Sequence, residues 1–308
     1  MLARLGLGLG LFVGSLAVGF GLGRRRILTD HRASQLVQAL VMTTSPAVLC
    51  LSCWRMDLRH VEPWLLPFVG TCIAGSTLIP AFLYARRARL ADPQTGIFLA
   101  SAYFSNVGYL GAFTAFALFG EAAYGLCVLF FVFFTPAFYT LGFWLGARYG
   151  GPRHGTSAPI LKDELRLYPF IGMLAGLALN LVGIRRPAGL EWLNHVLIPV
   201  DTALYLAAIG SQLRFESLRP WIRPCLAMSA IKFLYAPLVA WLLVTALHLQ
   251  GLPRMVVLLE ASTPVAVSPL VLPLLFGLDR KLANALWVFT TLVAIPWFLI
   301  LIPLLPRL

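Results

Sequence analysis

From end to end the chain alternates apolar stretches with short clusters of arginine, and that alternation constrains it more than any other feature. Each stretch has the length of about 20 residues that a helix needs to cross a bilayer. Inside lipid every backbone N–H and C=O must find its partner within the protein, which leaves helices or a closed barrel. Barrel strands alternate apolar and polar positions over about ten residues, whereas these runs are continuous. The fold class expected is an all-α membrane protein. Composition agrees, with 59% hydrophobic and only 12% charged residues, against about 25% charged in a soluble chain. A soluble enzyme, a disordered tail and a secreted disulfide scaffold are thereby excluded.

Ten spans are expected, near 2–23, 33–54, 64–85, 95–118, 122–147, 165–183, 192–213, 222–247, 255–276 and 282–304. The net charge of +12 is spread through the loops rather than gathered in one patch, so nucleic acid is not an expected partner. The loops after the odd-numbered spans hold 16 Lys and Arg, while the opposite loops and the termini hold seven. By the positive-inside rule the richer side is cytoplasmic. Both termini then face the non-cytoplasmic side of a plasma or inner membrane. The first span is read as a mature helix, because Arg24, Arg25 and Arg26 follow it where a signal peptide carries its charge ahead. Its glycines Gly6, Gly10, Gly14, Gly19 and Gly23 suit close helix packing, and a homodimer contact is one use for them.

The polar segment 149–164 divides the chain into a first five-span repeat, 1–148, and a second, 165–308. Five is odd, so the second half enters the membrane from the opposite side and any duplication is inverted. Landmarks recur at a slowly drifting offset. Pro46 matches Pro199 (153 residues on), Pro80 matches Pro237 (157), Asn106 matches Pro264 (158) and Pro136 matches Pro296 (160). Inverted repeats characterise secondary transporters, whose sites lie near the midplane where interrupted helices meet.

The fourth and ninth spans carry the interruptions. The fourth is polar and glycine-broken from Ser101 through Ser105, Asn106 and Gly108 to Gly111. In the ninth, Pro264 and Pro269 each remove an N–H and clash with the preceding turn. Broken backbone is tolerated at such depth only if buried or lining a cavity. Asn106, Ser105, Gly108, Ser262, Thr263, Pro264 and Ser268 are therefore the candidate substrate-binding residues. Half-helix N-termini there offer unpaired N–H groups and partial positive charge to an anion. Asp201, Lys232 and Glu260 are the intramembrane ionisable residues, candidates for ion coupling or charge pairing. Lys232 reads equally as the partner of Asp201 or Glu260 in a coupling charge pair and as a residue that snorkels to the cytoplasmic interface or pairs structurally. Glu260, six residues into its span, reads as interfacial, and Glu121 as a favourable charge at a helix start.

These residues resemble the auxin efflux carrier (PIN-like) family, of the bile acid/auxin transporter type. The likeness rests on Ser105-Asn106-Val107-Gly108-Tyr109-Leu110-Gly111 and on Thr263-Pro264-Val265-Ala266-Val267-Ser268. Gly210-Ser211-Gln212-Leu213 and Lys232 with Pro237 also fit. The resemblance implies ten helices in two inverted bundles, with the fourth and ninth crossing at their breaks. It also implies movement of a small organic anion, auxin-like or a mono- or dicarboxylate, with Asn106 and Pro264 at the crossing. The chain departs from the family in having Ala203 where a proline is usual, and in its short central loop.

No cofactor or metal is expected. The five histidines are isolated, and Cys50 and Cys53 end an apolar run with no βαβ context, so they read as packing residues. Gly277-Leu278-Asp279 has the form of an intramembrane protease motif but lacks a second aspartate motif. The main alternative is a bile-acid-type sodium symporter, followed by a membrane enzyme or a receptor without transport.

Overall fold

The computed structural model describes residues 2–150, 167–213 and 218–305. Most of the expected linker, residues 151–164, lies outside them, as do Arg153, His154, Lys162, Arg166, Arg214 and Arg307 from the charge and histidine readings.

Helix dominates. In chain order the helices are α1 (Leu2–Arg24), α2 (Asp30–Trp54), α3 (Glu62–Arg87), α4 (Asp92–Tyr103), α5 (Val107–Phe119), α6 (Glu121–Tyr149), α7 (Tyr168–Leu181), α8 (Gly189–Ser211), α9 (Arg219–Ala246), α10 (Gly251–Ala261), α11 (Leu272–Phe276) and α12 (Arg280–Leu304). Six of them (α2, α3, α6, α8, α9 and α12) are long and apolar enough to cross a bilayer. No strand occurs among the described residues; one isolated antiparallel bridge joins Ser105 and Val265. The apolar surface is consistent with a lipid solvent. Along α3, Trp64, Phe68, Ile79 and Leu83 are exposed while Leu66, Val69, Ile73 and Ala81 are buried.

Prolines mark the irregularities, since each lacks the N–H that would continue the ladder and crowds the turn before it. Helix α2 breaks at Thr43, three residues before Pro46, and α3 at Thr77, three before Pro80. In α9 a wide π-type turn, Ile231–Tyr235, precedes Pro237. The fourth apolar run becomes two helices, α4 and α5, separated by Phe104–Asn106. The ninth becomes α10 and α11, with Ser262–Val267 and a short 3-10 turn, Ser268–Val271, between them. Between α5 and α6 the chain turns at Gly120, whose φ of 83° only glycine adopts freely.

The chain forms two compact units, each built from both halves of the sequence. The first takes the described parts of 1–63, 108–129 and 159–214. Here α7 lies on α2 through Gly172 and Gly176, where an added Cβ would come within 2.3 Å of Pro46 O and 2.2 Å of Cys50 O. Helix α1 lies on α8 in the same way: Gly19 and Gly23 meet Ala207 and Ser211, and Gly210 meets Leu16. Without a hydrophobic force between helices in lipid, such close backbone approach supplies the dispersion contacts that hold them.

The second unit takes the described parts of 64–107, 130–158 and 215–308. Its buried core includes Phe98, Phe104, Leu145, Leu286 and Phe298. Asp279, the residue of the protease-like triplet, caps α12 by accepting from Leu282 N (3.0 Å) and also accepts from Gln94 Nε2 (3.3 Å). That is a structural role.

Candidate functional site

The two interruptions meet in the second unit. After Tyr103 the backbone of the fourth run becomes extended, and after Ser262 so does that of the ninth. The two extended pieces pair antiparallel: Asn106 N–H donates to Pro264 O at 2.8 Å and Ala266 N–H to Phe104 O at 3.0 Å. Val265 N–H goes to Thr290 Oγ1 of α12 at 3.2 Å. A proline at 264 suits this arrangement, because its missing N–H demands no partner while its carbonyl is used. Backbone groups released by the breaks are thus satisfied by one another, as burial requires.

The carbonyl end of α4 is tended separately. Ala102 O accepts from Lys232 Nζ at 2.5 Å and from Thr77 Oγ1 at 2.8 Å. Lys232 Nζ also donates to Ser105 Oγ at 2.7 Å, and its side chain is 0% exposed. A cation at a helix C-terminus is favoured by the partial negative charge there. Buried, with both bonds inside the second unit, Lys232 does not snorkel. The residue is a buried tether holding α9 to the break.

A cavity of about 50 Å³ lies beside the crossing, lined by Thr77, Tyr103, Ser105, Val107, Phe134 and Glu260 among others, all of the second unit. A water needs about 10–15 Å³, so there is room for a few waters or one carboxylate-sized group. Glu260 is 0% exposed. It is enclosed at the crossing rather than lying open at an interface, because α10 ends one residue later and turns into the break.

The candidate residues divide clearly. Ser105, Asn106 and Pro264 are brought together, with Asn106 only 7% exposed. Ser262 and Thr263 adjoin them, but their hydroxyls donate back to Leu258 O and Glu260 O at 2.8 Å each, so their protons serve the end of α10. Ser268 is half-buried at the start of the 3-10 turn. Gly108 is the first residue of the first unit's middle segment, with open space where a side chain would begin. Asp201 belongs to the first unit, where its carboxylate accepts from Thr44 Oγ1 and from Ser45 Oγ (3.0 Å).

Sequence reasoning missed a polar cluster in the first unit. Glu121 is a bidentate acceptor for Arg186, with both side chains about 5% exposed (5% and 6%), and it also accepts from Asn194 Nδ2. Asn194 in turn donates to Ser52 Oγ at 3.0 Å. Arg55 pairs with Glu191, and that hydrogen bond pushes the guanidinium above its usual range. Glu121 is therefore the centre of a buried ion pair and not only a charge at a helix start. The signal available was Arg186 in a short loop that otherwise needs no charge. Glu121, Glu191 and His195 bring ligand atoms within 4.8 Å of one another. Two arginines already neutralise those carboxylates, so the trio does not suit a cation.

Comparisons with known proteins fit a membrane protein of this kind. The family model described as membrane transport protein matches residues 157–302. An uncharacterized transporter of Methanocaldococcus jannaschii is 30% identical over 278 residues, covering 86% of this chain and 87% of the relative. An uncharacterized transporter of Methanothermobacter thermautotrophicus is 28% identical over 277 residues, covering 87% of this chain and 88% of the relative.

Proposed function

Because the chain belongs to the membrane transport protein family, we propose that it is a secondary carrier for a small organic anion, auxin-like or a mono- or dicarboxylate. The protein is a multi-pass membrane transporter and not an enzyme. As such a carrier it works by alternating access around the crossing of the fourth and ninth runs, with ten membrane passages in two inverted repeats. Both termini then lie outside a plasma or inner membrane, as the excess of Lys and Arg in the loops on the other side supports.

The observation that carries this reading is the pairing of Asn106 N–H with Pro264 O. It joins two interrupted helices at corresponding places in the two sequence halves, the arrangement in which carriers hold substrate. Beside it, the Asn106 side chain can donate to a carboxylate, as can the Ser105 hydroxyl. Lys232 Nζ ties a basic group to the same Ser105 hydroxyl at 2.7 Å. The cavity admits a carboxylate group, so one acidic head of a substrate fits it.

The test is uptake in proteoliposomes by Asn106→Ala. Its backbone N–H still reaches Pro264, so insertion and folding are expected to survive while carboxylate uptake is lost. Normal uptake by a well-inserted Asn106→Ala protein counts against the reading.

A further inference from the structure

Asp201 stands in unusual company for a carboxylate within an apolar helix. It is 5% exposed on α8, and its oxygens accept from Thr44 Oγ1 and Ser45 Oγ, both at the break of α2 ahead of Pro46. Ser45 also shares a hydrogen bond with Tyr109 of α5. The ring of Tyr109 stacks on Tyr205, one turn after Asp201 on the same face of α8, at 3.5 Å between centroids and 10° between planes.

No cation faces this group among the described residues. Helix α1, which lies on α8, carries no charged side chain between Arg4 and Arg24, and α5 carries none at all. On α2 the charges are Asp30, His31 and Arg32 at its start, followed by none until Arg55 beyond its end. Helix α7 has none, and the other titratable groups of α8 are Glu191, His195 and Tyr205. Tyr124 of α6 is the remaining titratable neighbour of Tyr109. Glu121 and Arg186, the buried charges elsewhere in the unit, are spent on each other.

A charged side chain at mid-helix in lipid costs about 2.5–3.5 kcal/mol on insertion scales. Two hydroxyl donors offset part of that, yet neither brings a countercharge. This environment holds the carboxylate and the carboxylic acid within reach of each other, which is what a proton carrier requires. Resting on the anion-carrier reading above, we propose that Asp201 takes up and releases the proton that drives anion movement, and that Ser45 and Tyr109 relay its state to the break in the fourth run.

The chemistry is a simple proton transfer. In the charged state Ser45 O–H donates to the Asp201 carboxylate. Water on the acidic side delivers a proton to one carboxylate oxygen, and the new O–H donates to Ser45 Oγ. The Ser45 proton is then free to turn toward the Tyr109 oxygen. Tyr109 lies three residues after Asn106, in the π-type turn Val107–Gly111 that begins α5. Such turns recur at functional sites. Reversal of the hydroxyl chain therefore reaches the segment next to the substrate-binding asparagine.

The experiment has a transport arm and a spectroscopic arm. Succinate is the probe, because the dianion does not cross lipid unaided, and the membrane potential is clamped at zero. A gradient of one pH unit, acid outside, drives up to about tenfold accumulation in the wild type for each proton moved with one anion. Asp201→Asn loses that accumulation and still exchanges labelled for unlabelled succinate. In the second arm, infrared spectra of the purified protein through an acid titration show a carboxylic acid carbonyl band that Asp201→Asn lacks. Gradient-driven accumulation by Asp201→Asn, or persistence of the band, overturns the proposal. If the wild type moves no succinate, the carrier reading fails for this anion, and the infrared band alone then decides the role of Asp201. Should Asp201→Asn not fold, Ser45→Ala replaces it: a moved midpoint of the band supports the relay, and an unmoved one overturns it. Sodium-driven accumulation with no response to pH also overturns it.

Discussion

Lys232 and Thr77, on different helices of the second unit, converge on one main-chain carbonyl, that of Ala102. Each donor can be lost while the other remains, so the single substitutions Lys232→Met and Thr77→Val are expected to cost about 1 kcal/mol each. Together they leave a buried carbonyl at the end of α4 with neither side-chain donor, a penalty of about 1–3 kcal/mol for an unsatisfied group. The double variant is thus expected to be destabilised beyond the sum of the singles. Thermal melts of the four proteins in one detergent measure this coupling. Strict additivity would show that the shared carbonyl is not the link.

The ion pair of Glu121 with Arg186 gives the opposite pattern. Arg186→Met strands a buried carboxylate, at a cost of about 3–5 kcal/mol. Adding Glu121→Gln removes the stranded charge, and the amide retains an acceptor for Asn194, so the double variant is expected to recover most of the loss. Melting temperatures ordered wild type, double variant, Arg186→Met would establish this. A double variant less stable than Arg186→Met would show that the charge of Glu121 is held by other groups.

Much of this was legible because membrane insertion reduces the problem to apolar length and to breaks. The breaks at Thr43 and Thr77 and in the fourth and ninth runs all follow from where proline and glycine remove or loosen hydrogen bonds. What those bonds are exchanged for was not legible. Ser105 finds Val265 at a separation of 160 residues, and Lys232 finds Ala102 at 130, pairings that no local pattern encodes. Polar residues of short loops were underrated for the same reason: Arg186 acquires its meaning only once Glu121 is beside it. The compact units also mix the two sequence halves, since helix packing is set by facing surfaces and not by order along the chain.

Glycines of α1 that look alike in sequence are expected to respond differently. A Cβ at Gly19 would stand 2.0 Å from Ala207 O, so Gly19→Ala must push α1 away from α8, at a cost of about 1–3 kcal/mol. Gly10 has nothing within 4 Å of the added methyl. Gly10→Ala is then expected to be neutral or to stabilise by up to about 1 kcal/mol through helix propensity. Thermal melts distinguish the two. Equal losses at both positions would mean that Gly10 is covered by a second copy of the chain.

The hydroxyl of Thr290 stands at the centre of the crossing in a double role, donating to Leu286 O at 2.8 Å and accepting from Val265 N–H at 3.2 Å. Thr290→Ser keeps the oxygen and is expected to retain stability and uptake. Thr290→Val keeps the shape but offers no acceptor, so a buried N–H is left in backbone that has no helix to return to. The expected cost is about 1–3 kcal/mol. Because Val265 is bridged to Ser105, slack there reaches Asn106 through the two bonds that flank the bridge. Uptake by Thr290→Val should therefore fall by more than its loss of folded protein accounts for, measured as flux per correctly inserted molecule. If flux per molecule equals that of the wild type, the bridge between the two broken runs has no part in positioning Asn106.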